Sequence, residues 1–181
     1  GGVPTGQTTP LRSDELLRQL EHLRHTAQDP SLLLWLQREL DGYDASDELP
    51  WYRIMECRQR GLFMHHGTAH QQTSQINEKC LCQRDMERVR YLLIRGPLSC
   101  YLDSHTPTLE RWPDSLLREY SQHLIPEHVC LYAWKEPIAS VREHLLLGIS
   151  SVLQQYVPSM CREMENANRS LRTLQHRQWW V

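Results

Sequence analysis

The sequence predicts an all-α fold: a single-domain helical bundle of about seven or eight helices, with a short strand near residues 128–134 as the one local alternative. Three observations support this prediction. Apolar residues recur at helical spacing in several segments, residues that favour helix starts and stops stand at their ends, and no internal repeat is present. We expect a flexible lead-in over residues 1–12 and one helical domain over residues 13–181.

The N-terminal segment predicts two helices. Ser13 can cap the first, in which apolar residues recur on one face at Leu16, Leu20 and Leu23. Pro30 favours the first turn of the second helix, and Gly42 is expected to end it.

The middle of the chain predicts two further helices separated by a loop. Pro50 through Arg60 is expected to form one helix, with Gly61 as its C-terminal stop and a loop over residues 61–73. Ser74 is expected to open the next helix, which Gly96-Pro97 closes. Its apolar stripe consists of Cys82, Met86, Val89 and Leu93.

The C-terminal half continues the helical pattern with one ambiguous run. Residues 113–124 and the segment that begins at Pro137 predict helices, and residues 160–174 carry a short coiled-coil-like seam. The apolar run His128–Trp134 has no diagnostic period, so a strand and a helix compete there on equal terms.

Composition limits the classes of function. The net charge of -2 argues against a protein that binds nucleic acid through bulk electrostatics. The longest apolar run is far shorter than the roughly 18 residues of a membrane span. The basic residues are almost all arginines, whose planar donor fork suits recognition surfaces.

The six cysteines leave two compartments open. An even number permits three disulfides in a secreted helical ligand, for which the sequon Asn168-Arg169-Ser170 also speaks. A chain of this length and apolar content can form a stable core without disulfide bonds. We therefore expect reduced thiols in the cytoplasm or nucleus, with secretion as the alternative.

Cysteines and histidines are concentrated in residues 57–82. Both residue types are common zinc ligands, so a zinc site is a candidate there. The candidate ligands, of which four would be needed, are Cys57, His65, His66, His70, Cys80 and Cys82. Their spacing contains no C-x-x-C pair, and Cys80 and Cys82 would diverge if both lay in a helix. The expectation is no cofactor, with a structural zinc as the alternative.

Motifs for catalysis are missing from the sequence. It contains neither a G-x-S-x-G elbow nor a phosphate-cradling glycine loop, and no cysteine has a local signature of a nucleophile. We expect a protein that is not an enzyme.

A binding role is the resulting prediction: a protein-protein interaction, adaptor or regulatory domain. Arginine and tryptophan are enriched at interface hot spots, so the expected partner-binding residues are Arg84, Arg88, Arg162, Arg169, Trp179 and Trp180. The partner is another protein or a second copy bound through the C-terminal helix. The alternative is a zinc-stabilised regulator that binds nucleic acid through that basic, tryptophan-ended helix.

Overall fold

The computed structural model describes residues 13–103 and 107–156, which fall into two compact units. The first comprises residues 13–45, 96–103 and 149–156, and the second comprises residues 46–95 and 107–148. The helices are α1 (Ser13–Thr26), α2 (Pro30–Asp41), α3 (Gln83–Val89), α4 (Asp114–Tyr120) and α5 (Val141–Gln155). The strands are β1 (Ile54–His65), β2 (Gln71–Ile76), β3 (Tyr91–Leu93), β4 (Glu110–Arg111) and β5 (His128–Pro137).

The first unit contains the two N-terminal helices, and the predictions of both are confirmed. The three leucines of the α1 stripe are buried. Asp29 caps α2 by accepting a hydrogen bond from the Ser31 N–H at 2.8 Å. Gly42 ends α2 with a φ of 102°, a backbone conformation that glycine adopts without steric cost.

The second unit is built on an antiparallel sheet. Its strand order is β2-β1-β5-β4, and β3 pairs with the first residues of β1. β1 is therefore the strand that most of the sheet depends on, since it pairs with three others. The prediction of an all-α bundle is wrong: the described residues combine helices with a five-stranded sheet.

The helix predicted over Pro50–Arg60 is instead a 3-10 turn, Trp51–Arg53, followed by β1. The buried positions of β1 alternate, but they hold unlike residues, namely Met55, Cys57, Gln59, Gly61 and Phe63. A glutamine and a glycine in that series break the apolar period of two by which a strand is recognised. Tertiary burial, rather than local pattern, selects the strand.

Gly61 is not a helix stop but a point of close approach inside β1. A Cβ atom there would lie 2.9 Å from Cys130 Sγ and 3.0 Å from the Tyr132 carbonyl oxygen. The register between β1 and β5 shifts directly after it, between Leu62 and Phe63. Glycine therefore lets the two central strands pack closely beside this bulge.

The remaining elements correct or confirm the sequence predictions one by one. The predicted loop over 61–73 lies mostly in β1 and β2, and Ser74 lies inside β2 rather than at a helix start. The stripe from Cys82 to Leu93 divides between α3 and β3. The ambiguous run at 128–134 is a strand, and helices are confirmed within 113–124 and after Pro137. The seam at 160–174 lies outside the described residues.

One face of the sheet forms the core of the second unit. Phe63 of β1 and Cys130 and Ala133 of β5 cluster with Val89 of α3 and Leu116 of α4. Burial of such side chains contributes most of the favourable free energy of folding. None of the helices in the described parts of the chain is long and apolar enough to cross a membrane.

Gln59 supplies a polar link inside this core. Its side chain is fully buried, its Oε1 accepts a hydrogen bond from Trp112 Nε1 at 2.8 Å, and its Nε2 donates to the Val89 carbonyl oxygen at 2.6 Å. The Trp112 backbone N–H in turn donates to the Ala133 carbonyl oxygen. One amide therefore ties β1 to the end of α3 and to the residue that follows β4.

We predict that Gln59→Leu lowers the free energy of unfolding by about 1–3 kcal/mol, because it leaves the indole N–H of Trp112 buried without its acceptor. The measurement is urea unfolding followed by circular dichroism. In a Trp112→Phe background the same substitution should cost less, because that N–H is already gone. Additive effects of the two substitutions would contradict this account.

Candidate functional site

The second face of the sheet carries arginines and aromatic rings among the described residues. These side chains alternate along the strands with the buried ones and are exposed or half-buried. We call this surface the open sheet face. It consists of Arg58, Arg60, Leu62 and Met64 of β1, Thr73 and Gln75 of β2, Arg111 of β4, and Tyr132, Trp134 and Glu136 of β5.

Strand register places a tryptophan between two arginines at the centre of this face. Trp134 of β5 is the pairing partner of Arg60 in β1 on one side and of Arg111 in β4 on the other. The Arg111 guanidinium also lies 5.2 Å from the centre of the Tyr132 ring, within the range of a cation–π contact. Tyr132 is nevertheless 51% exposed, so most of its ring remains available.

Glu136 orients the arginines of β1. Its Oε2 atom lies 3.3 Å from Arg60 Nε and 3.9 Å from Arg58 Nε. That oxygen is shielded from solvent and has no well-aligned hydrogen bond, so the contact is an ion pair. Such half-exposed pairs contribute little to stability. Their effect here is to hold the guanidiniums on the sheet surface.

The six predicted zinc ligands are not assembled in the structure. Cys57 is buried in β1 and its thiol contacts the Val89 carbonyl oxygen at 3.3 Å, whereas Cys80 and Cys82 are exposed. His66 and His70 are exposed on the turn between β1 and β2. In residues 13–103 and 107–156, no group of three or more histidine, cysteine or acidic side chains is placed to hold a metal ion.

His65 has neighbours other than the predicted ligands. Its ring packs edge-on against the ring of His128, with centroids 4.9 Å apart, and its Nε2 lies 3.8 Å from Glu127 Oε2. Pairing of β1 with β5 brings these groups together.

Of the six predicted partner-binding residues, two lie within the described part of the chain. Arg84 and Arg88 are exposed on α3, away from the open sheet face. Arg162, Arg169, Trp179 and Trp180 lie outside the described residues.

Arg88 belongs to a polar cluster around Asp85. Tyr120 donates its hydroxyl hydrogen to Asp85 Oδ2 at 2.8 Å, and the Cys82 thiol lies 3.2 Å from the same oxygen. These hydrogen bonds, led by that of Tyr120, lower the pKa of Asp85. Hydrogen bonds with Cys82 and Asp85 raise the pKa of Tyr120 to about 12. The cluster joins α3 to α4 and holds the carboxylate in its ionised form.

The two buried thiols have raised pKa values, which makes them less reactive. Burial raises the pKa of Cys57, and it raises the pKa of Cys130 to about 11. Both groups therefore carry a proton at neutral pH, and a protonated thiol is a poor nucleophile.

Sequence reasoning missed the open sheet face although a signal for it existed. Tyr132 and Trp134 alternate along one run, and Arg58 and Arg60 alternate along another. Assignment of β1 as a helix hid the second alternation, because residues two apart do not share a helix face. Arg111 joins the same row through the register between β4 and β5, which the sequence pattern does not reveal.

Comparison with known proteins gives one result. The family model described as AbiTii matches residues 8–156 of the chain. No curated protein and no solved structure matches it.

We predict that the ionised Asp85 stabilises the fold in a pH-dependent way. Its pKa is below the ordinary value of 3.8, so the stabilisation is complete above that pH and is lost as the pH falls through the lowered pKa. Asp85→Asn should therefore lower the urea midpoint at pH 7, and this effect should shrink as the pH is taken below 3.8 through the lowered pKa. Asp114→Asn, at an exposed position of α4, is the matched control; an equal pH dependence in both variants would contradict the assignment.

Proposed function

The chain belongs to the AbiTii family, and we propose that it is a non-enzymatic recognition module that binds a macromolecular partner through the open sheet face. The observation that carries the proposal is the central row of that face, in which Trp134 stands between Arg60 and Arg111. Tryptophan, tyrosine and arginine are the residues most enriched at binding hot spots.

The composition of the face favours recognition over an ordinary solvated surface. A surface strand that faces only water is usually polar, whereas this face presents Leu62, Met64, Tyr132 and Trp134 on neighbouring strands. Contiguous apolar area rimmed by charged groups is typical of interaction sites. The helices α3 and α4 support the sheet from behind, so the side chains are presented on a rigid element.

The shifted groups of the second unit support a role without catalysis. Catalytic thiols and general bases have pKa values moved toward neutrality. Here the thiols of Cys57 and Cys130 have raised pKa values, and the pKa of Asp85 is lowered. Each shift takes the group further from the range in which it would act as a nucleophile or base at neutral pH.

The proposal includes a reducing compartment, the cytoplasm. The five described cysteines are free thiols, and two of them are packed in the interior of the second unit. Buried free thiols are ordinary small core residues in intracellular proteins.

Two classes of partner fit the face, and each has its own support. Leu62 and Met64 provide the apolar contact area that protein interfaces use, as the sequence-based prediction of an adaptor requires. The rows of arginines and rings provide the contacts that nucleic acids use.

We predict that a photoreactive benzoylphenylalanine placed at Tyr132 forms a covalent adduct with the partner when cells producing the full chain are irradiated. The same group at the exposed Glu119 of α4 is the matched control. Gel mobility with nuclease and protease treatment identifies the class of adduct. An adduct at position 132 that disappears in an Arg60→Glu, Arg111→Glu background supports the proposal. Equal labelling at both positions, or none at position 132, would sink it.

A further inference from the structure

We propose that the open sheet face binds single-stranded nucleic acid, with two bases stacked on Tyr132 and Trp134 and the flanking phosphates held by Arg58, Arg60 and Arg111. This inference rests on the proposed function, since it names the partner of the same face.

The proposed stacking platform consists of two rings of β5, Tyr132, which is 51% exposed, and Trp134, which is half-buried. Tyr132 and Trp134 are two residues apart on β5 and point to the same side of the sheet. Their positions are separated by about 7 Å along the strand. Aromatic side chains on the central strands of an antiparallel sheet are the means by which sheet proteins stack successive unpaired bases. A duplex offers no free base faces to such a platform.

The arginine side chains of the open sheet face lie beside the two rings, where the phosphate backbone of a strand stacked on them would pass. Arg60 and Arg111 flank Trp134 on the two neighbouring strands, and Arg58 lies two residues before Arg60 on the same face of β1. Arginine binds phosphate oxygens with a planar pair of donors. Glu136 holds Arg58 and Arg60 on the surface before any ligand arrives, which reduces the entropy lost on binding.

Charge complementarity favours a polyanion. The whole chain has a formal charge of -2. On the open sheet face three arginines stand against two carboxylates, Glu136 and the exposed Glu56 at the end of the face where β1 pairs with β3. The face is therefore net positive although the chain as a whole is net negative, which favours attraction of a polyanion.

A protein partner fits this distribution less well. The centres of protein interfaces are depleted of charged residues, whereas Arg60 of the inner strand β1 stands beside Trp134 at the centre of this face and Arg111 of the edge strand β4 stands on its other side. The neighbouring β2 adds the neutral Thr73 and Gln75 rather than an apolar rim. Hydroxyl and amide groups at that position can bind base edges or sugar hydroxyls.

The test is fluorescence anisotropy of labelled 12-nucleotide oligo(dT) and oligo(U) with the full purified chain, over a range of salt concentrations. We expect saturable binding. The logarithm of the association constant should fall with the logarithm of the salt concentration at a slope of about −2, because each of about three neutralised phosphates on a single strand contributes about −0.7. Trp134→Ala and Tyr132→Ala should each weaken binding by about 5- to 150-fold. Tyr132→Phe should preserve binding, since it keeps the ring.

Matched controls separate this face from the rest of the surface. Trp51→Ala removes an exposed tryptophan outside the open sheet face, whose ring packs against Tyr52 and His144, and Arg84→Gln removes an exposed arginine of α3; both variants should bind as the wild type does. Arg111→Gln should reduce the magnitude of the salt slope by about 0.7. Circular dichroism of every variant confirms that the fold is retained.

The result that overturns the inference is the absence of binding, binding that a folded Trp134→Ala variant leaves unchanged, or equal affinity for a blunt duplex of the same length. If binding is absent while the cross-linker at position 132 captures a protein, the nucleic-acid inference fails and the proposed function stands. If that cross-linker captures nothing either, both fail.

Discussion

A single buried amide in the central strand constrains the second unit. Gln59 lies at an inward position of β1, where a fully buried side chain must find hydrogen-bond partners or lose several kcal/mol. It finds them in Trp112 and in the Val89 carbonyl, so α3 and the segment after β4 are fixed relative to β1. A slip of one residue would expose Gln59 and bury Arg58 or Arg60. The orientation of both sheet faces therefore depends on this residue.

The two faces of the sheet contribute differently to the fold. Inward residues such as Phe63 and Cys130 pack with the helices, whereas outward residues of the same strands contribute little to the core. Because side chains alternate between the two sides of a pleated strand, Arg60, Trp134 and Arg111 each lie next to a buried residue in sequence. Arg60 lies between the buried Gln59 and Gly61, and Trp134 lies between Ala133 and Lys135, which are also buried. The rigidity of the core thus carries over to the position of each arginine and ring.

The ionisable groups with shifted pKa values in the second unit contribute to packing and to contacts between elements. Asp85 is fixed as a carboxylate between α3 and α4, and the interior thiols keep their protons. The chain belongs to the AbiTii family. Binding through a preformed sheet face, as proposed above, would use side chains that are already held in place before the partner arrives.

Some of this structure could be predicted from residues alone. Helices α1 and α2 follow from local features, namely the leucine stripe, Pro30 in the first turn of α2 and the Gly42 stop, because helices are stabilised by residues three and four apart. The absence of nucleotide-binding and hydrolase motifs likewise follows from sequence.

The sheet and the candidate site were decided by tertiary structure. Gln59 and Gly61 occupy buried positions of β1 for reasons that lie 30 or more residues away, in Val89, Trp112 and Cys130, so the strand shows no apolar alternation. The row of Arg60, Trp134 and Arg111 exists only through pairing between three strands distant in sequence. The sequence by itself determined helices α1 and α2 and supplied the arginines and aromatic residues. Only the register of the sheet decided which of those residues stand together, because strand pairing is a long-range interaction that local periodicity does not encode.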